Sequence, residues 1–225
     1  MKKRLGILFV VLLLVGSFST AVIAQKALNP AVQIQKEDKA VKVFVGRPSG
    51  PIMQNAYKEN RNDVYKELKK ETPEKVLDSI IIFKDFVTAD QLKDIFNNQS
   101  IEAKRIWLAE PGTIGIGDAI VINNDIEGAV NNWTADFQRY CNEGKEKHIE
   151  LNKNTETMLS ATKENRVKVY AVLVSSPISE LNTLSNNTVI DFIDLHYDEE
   201  AENIGTSKEY KVKYIDVPMR PDGIS

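Results

Sequence analysis

Asp78-Ser-Ile-Ile-Ile-Phe-Lys-Asp85, continued by Phe86-Val-Thr88 and later by Ile101-Glu-Ala-Lys-Arg-Ile-Trp-Leu-Ala109, decides the fold. The first run is short, apolar and β-branched, the pattern of a buried strand. Thr88 and Gln91 stand three apart, as in a capping box, so a helix opens there. Leu92, Ile95 and Phe96 give it one apolar face, and Asn97-Asn98 ends it. Ile101 to Ala109 reads as the return strand, which makes a β-α-β unit of about thirty residues.

The same grammar recurs from Arg166 to Tyr197. Val167 to Val174 is a β-branched strand. Ser176-Pro177 reads as a helix start, with serine as cap and proline at the first helical position. Ile178, Leu181 and Leu184 form an apolar stripe, Asn186-Asn187 stops the helix, and Thr188 to Leu195 returns as a strand. Two such units predict an α+β, ferredoxin-like antiparallel sheet with helices on one face. Between them, Ile126, Val130, Trp133, Phe137, Tyr140 and Cys141 follow helical spacing, so a long helical insertion should cover the sheet. The polar stretch from Gly144 to Arg166 extends this as an exposed helix broken near Gly144.

The N-terminus is set apart from the fold. Lys2-Lys3-Arg4 precedes an uncharged apolar run from Leu5 to Ala24, and Val22-Ile23-Ala24 suits a cleavage site before Gln25. Residues 1–24 are therefore a signal peptide or a signal anchor. An apolar helix of that length, at about 1.5 Å per residue, is long enough to cross a bilayer. Both readings put the rest of the chain outside the cytoplasm, secreted or held to the membrane through residues 5–24. No cysteine lies near the end of the run, which excludes a diacylglyceryl-cysteine anchor.

Residues 25–39 read as a linker and residues 40–225 as the extracytoplasmic domain. Within the domain, Ala40 to Val45 alternates as a strand. A helix is expected over 52–71, with a charged, solvated face (Lys58, Glu59, Arg61, Asp63, Lys66, Glu67, Lys69). Tyr210 to Val217 should be an edge strand, and Pro218 to Ser225 a tail.

The chain has 29 basic and 32 acidic residues; without Lys2, Lys3 and Arg4 its net charge is −6. An acidic exported domain is a poor match for nucleic acid. Cys141 is the one cysteine, so no internal disulfide forms, and its place on the apolar stripe makes it a core residue rather than a nucleophile. Pro111-Gly-Thr-Ile-Gly-Ile-Gly117 reads G-x-x-G-x-G. That is the wrong order for a dinucleotide fingerprint, and a β-branched run follows it, so it is a mobile turn or a hairpin. Asp194, His196 and Asp198 would share one side of a strand, but three ligands at that spacing match no metal loop, and a wet strand end accounts for them. His148 has no partner nearby in sequence. No nucleophile elbow, zinc motif or phosphate loop is present, and sequons such as those at Asn98 and Asn132 carry little weight. The expectation is a domain with no catalytic, metal or cofactor residues.

Ala56-Tyr57-Lys58, Val64-Tyr65-Lys66-Glu67-Leu68, Ile82-Phe83-Lys84-Asp85, Val169-Tyr170-Ala171-Val172 and Pro221-Asp222-Gly223 together resemble exported proteins of low-GC Gram-positive bacteria. Over about residues 40 to 223 the layout is similar to the extracytoplasmic C-terminal domain of their anti-sigma factors. That resemblance implies a sensor or regulatory domain binding a protein of the cell envelope. Only Met1 to Arg4 precede the apolar run, so the family's cytosolic sigma-binding segment is not expected. Ile82 to Thr88 with its following helix is also similar to propeptide-like inhibitor domains of subtilisin-type proteases. There the exposed sheet face docks on the enzyme and the C-terminal tail, here Pro218 to Ser225, enters its active site.

Overall fold

The computed structural model describes residues 31–37, 40–47, 51–68, 70, 72–97, 100–113, 117–122, 125–195 and 211–223. The leader reading of 1–24, the first part of the linker, His196 and Asp198 lie outside the described residues. Among the described residues no helix is long and apolar enough to cross a membrane.

Among the described residues, eight strands form two sheets. The five-stranded sheet contains β3 (Val76–Val87), β4 (Glu102–Ala109), β5 (Gly117–Val121), β6 (Lys168–Pro177) and β7 (Ile190–Leu195). Its order is β5-β4-β6-β3-β7, and every pairing is antiparallel. β6 separates β3 from β4, and β3 separates β6 from β7, so each β-α-β unit is split by a strand of the other. The predicted α+β, ferredoxin-like architecture is therefore present, with β5 added at one edge.

The crossover helices are α2 (Ala89–Phe96) and α5 (Ile178–Ser185). The α2 capping box is complete, with Thr88 and Gln91 each accepting from the other's backbone N–H. The start of α5 differs from expectation. β6 runs on to Pro177, and Ser176 is a buried strand residue. Two backbone carbonyls do the capping: Ile178 N–H donates to Lys75 and Ser179 N–H to Pro73. The neighbouring chain supplies what a serine cap would have, so no local sequence signal marks it.

Between the units lie β5, α3 (Ile126–Glu146) and α4 (Lys153–Lys163). The break expected near Gly144 falls at 147–152. His148, at φ 57°, is the left-handed residue closing α3, with Ile149 N–H on Gly144 and His148 N–H on Lys145. This is a Schellman cap, and Asn165 at φ 54° repeats it after α4. α4 is not an exposed continuation, because Met158, Leu159, Ala161 and Thr162 are buried. Tyr140, placed on the apolar stripe by its spacing, is 71% exposed.

The central strands are buried on both faces. Ser79 to Phe83 and Val169 to Val174 are unbroken buried runs. One face, with Ile81, Phe83, Ile106 and Val172, packs under α2, α3 and α5; the other carries Ile80, Ile82, Trp107, Tyr170 and Phe192. Helix α1 (Pro51–Leu68) passes along the β7 edge, so that Tyr57 joins the second cluster and Tyr65 the first. Tyr65 Oη donates to Asn182 of α5 at 3.1 Å. The edge strand is thus covered by a helix.

The three-stranded sheet has the order β1 (Ala31–Glu37), β2 (Ala40–Gly46), β8 (Lys211–Val217). Ala31 to Glu37 had been assigned to the linker. Val32 and Ile34 alternate with Gln33 and Gln35 at strand period, and the segment pairs antiparallel with β2. β8 is an edge strand, as expected, but of this small sheet. It pairs parallel to β2 with Gly46 opposite Val217, so both chains leave the sheet at the same end.

Candidate functional site

The shared exit from the small sheet delivers Arg47 on one chain and Pro218 to Gly223 on the other, and both bind the second face of the large sheet. Arg47 Nε and Nη2 each lie 3.0 Å from Asp194 Oδ2, and Tyr57 Oη donates to the same oxygen at 2.8 Å. The Arg47 and Asp194 side chains are 2% and 1% exposed. Asp194 is therefore the acceptor in a closed ion pair, not part of a wet strand end. On the charged face of α1, Arg61 is buried over the Tyr57 ring, and Lys58 pairs with Asp191 beside Phe192. That face is only partly solvated.

Met219 is buried, and Arg220 is held between Phe86 and Tyr170. Arg220 donates to the Thr113 carbonyl at 2.8 Å and the Glu110 carbonyl at 3.1 Å, and pairs with Asp222. Asp222 in turn accepts from Gly112 N–H at 3.1 Å. Glu110 to Thr113 is a type II turn with Pro111 and Gly112 in the middle; the 76° φ of Gly112 is what requires glycine there. β4 and β5 pair antiparallel on either side of the glycine-rich segment, whose Glu110–Thr113 end is clamped; residues 114–116 lie outside the described residues. Pro218 to Gly223, read as a tail, is packed instead: two of its apolar side chains found a buried face.

Burial raises the phenols of Tyr57, Tyr65 and Tyr170, with Asp194 adding to the effect at Tyr57. Tyr170 is pushed up to about 12, although Arg220 and Arg47 pull the other way. Burial also pushes the Cys141 thiol up, toward its unreactive form. The folded state keeps tyrosine protons that the unfolded chain releases above its ordinary value of about 10. Stability is therefore complete below about pH 10 and declines as pH rises past it. A tyrosinate absorbance titration should show part of the seven tyrosines ionising only as circular dichroism reports unfolding. Ionisation of all seven near pH 10 with the fold intact would contradict this.

The open feature lies at the other end of the sheet. Between β5 and the first half of α3 runs a groove of about 590 Å³, lined by Ile120, Val121, Ile122, Trp133 and Phe137, with Asp125, Asn132 and Asp136. Trp133 and Phe137, one helical turn apart, stack at 5.5 Å and 21°. Val121 is 70% exposed. Because Ile122 N–H donates inward to Lys104, the alternation of the ladder turns the Val121 backbone toward the outer edge.

Asp125 caps α3 through Gly128 N–H at 2.9 Å. A Cβ at position 128 would sit 2.1 Å from the Asp125 carboxylate, so the glycine makes room for the cap. None of the side chains whose ionisation burial shifts lines this groove. The sequence places Trp133 and Phe137 on a core stripe; Trp133 does pack against the core, and both rings, half-buried, also line the groove. Among the described residues no three His, Cys, Asp or Glu side chains gather where a metal could be held. Comparison of the chain with protein-family models, curated proteins and solved structures gives no match.

Proposed function

We propose that this chain is a non-enzymatic domain exported from the cytoplasm, secreted or membrane-held through residues 5–24, that binds a protein partner at the cell envelope. The leader pattern at Lys2 to Ala24 supports export. The binding reading is carried by one observation: the β5–α3 groove sets the stacked Trp133 and Phe137 and the exposed Val121 beside Asp125 and Asp136. Docking grooves gather aromatic and apolar anchors with a polar rim. The resemblance of residues 40 to 223 to anti-sigma-factor outer domains fits this reading.

The protease-inhibitor reading is the less favoured alternative. The sheet face that would dock on an enzyme carries Tyr57, Phe86 and Met219, and the residues that would enter the active site are tied down by Arg220.

The test is labelling of Val121→Cys in intact cells by a membrane-impermeant maleimide. Labelling without permeabilisation is expected. Labelling only after lysis would overturn the proposal.

A further inference from the structure

We propose that the β5–α3 groove takes an extended peptide segment of the partner in which apolar residues alternate with lysine or arginine. The inference rests on the partner-binding reading above and names the partner's chemistry. Asp125 and Asp136 both line the groove, and among the described residues no lysine or arginine does. Asp136 is engaged by Arg139 at 2.7 Å, but that pair is about two-thirds exposed on both sides. An exposed pair of this kind contributes little and yields readily to an incoming cation. The stacked Trp133 and Phe137 offer a surface for aliphatic stems and for a cation over the ring. Outside its first four residues the chain is net acidic, so the long-range field favours the same charge.

Spacing narrows the ligand further. Asp125 and Asp136 stand eleven positions apart along α3, roughly 16 Å at the helical rise. An extended peptide covers that distance in about five residues. Two basic side chains four or six positions apart, with apolar side chains between them, match both carboxylates at once. Because side chains alternate across an extended peptide, the apolar residues then point the other way, toward Ile120 and Ile122.

The experiment titrates the full chain with two decapeptides, one alternating leucine with lysine and the other leucine with glutamate, by calorimetry at low and moderate salt. The lysine peptide should bind at least tenfold tighter than the glutamate peptide, and that preference should shrink as salt rises. The double variant Asp125→Asn, Asp136→Asn should bind the lysine peptide about tenfold more weakly while melting as the parent does, because asparagine caps a helix as aspartate does. Trp133→Ala should weaken both peptides.

Equal affinity for the two peptides, no binding of either, or unchanged binding by the double variant would each overturn the proposal. So would concentration-dependent self-association that buries Val121, which would assign the groove to a second copy. If the lysine peptide fails to bind while Val121→Cys is still labelled in intact cells, the ligand class is wrong and the exported-domain reading stands. If the peptide binds but labelling needs lysis, the reverse holds.

Discussion

Arg47→Ala is expected to lower the folding free energy by about 3–5 kcal/mol, because it strands a buried carboxylate. Asp194 is 1% exposed, and its Oδ2 takes both Arg47 nitrogens and the Tyr57 hydroxyl, while its Oδ1 has no hydrogen-bond partner. Without the guanidinium, the carboxylate must take up a proton or admit water, and either route weakens the fold. A loss of that size is a large share of the 5–15 kcal/mol that holds a typical domain. Replacing both members by apolar residues, Arg47→Met with Asp194→Leu, should recover most of it, since a packed apolar pair avoids the desolvation cost. Urea denaturation of the three proteins measures this. A single-variant loss below about 1 kcal/mol, the range of exposed pairs, would contradict the burial described here.

Arg220→Ala should cost about 3 kcal/mol, on the scale of charge-assisted hydrogen bonds lost from a buried donor. Its guanidinium joins the Glu110–Thr113 turn to the Asp222 carboxylate and stacks on Phe86 and Tyr170. The damage should also be local. Amide exchange at Gly112 and Thr113 should accelerate far more than at Val172, which is fixed in the centre of the sheet. Uniform acceleration across all three would mean that Arg220 supports the whole fold rather than the turn. Both variants act at the same place, the point where the small sheet hands its two chains to the large one.

Much of the architecture was legible because its signals are local. Thr88 and Gln91 form their capping box from side chains three apart, and Ile178, Leu181 and Leu184 are all buried, as their spacing requires. The run Ser79 to Phe83 carried more than was read from it. Apolar residues at consecutive positions cannot face one layer only, so the run already demanded cover on both sides of the sheet. That cover comes from Tyr57 and Met219, remote in sequence on either side.

Ala31 to Glu37 was missed because its strand has only two large apolar residues and follows Pro30. The Arg47–Asp194 pair spans 147 positions, and nothing in either residue's neighbourhood announces the other. The groove had a clear component, the Trp133–Phe137 spacing, but helical periodicity places a stripe on one face without fixing how much of it the sheet covers: Trp133 packs against the core and still lines the groove.

Cysteine labelling at position 121 tests the central claim most directly, because it reads both location and occupancy. The native thiol of Cys141 is buried and pushed toward its protonated form, so background is low. In intact cells Val121→Cys should react with an impermeant maleimide without permeabilisation, and several-fold more slowly than in the purified chain, because the partner covers the groove. A cysteine that reacts only in lysates, or in cells as fast as in the purified chain, would contradict an exported domain that docks its partner between β5 and α3.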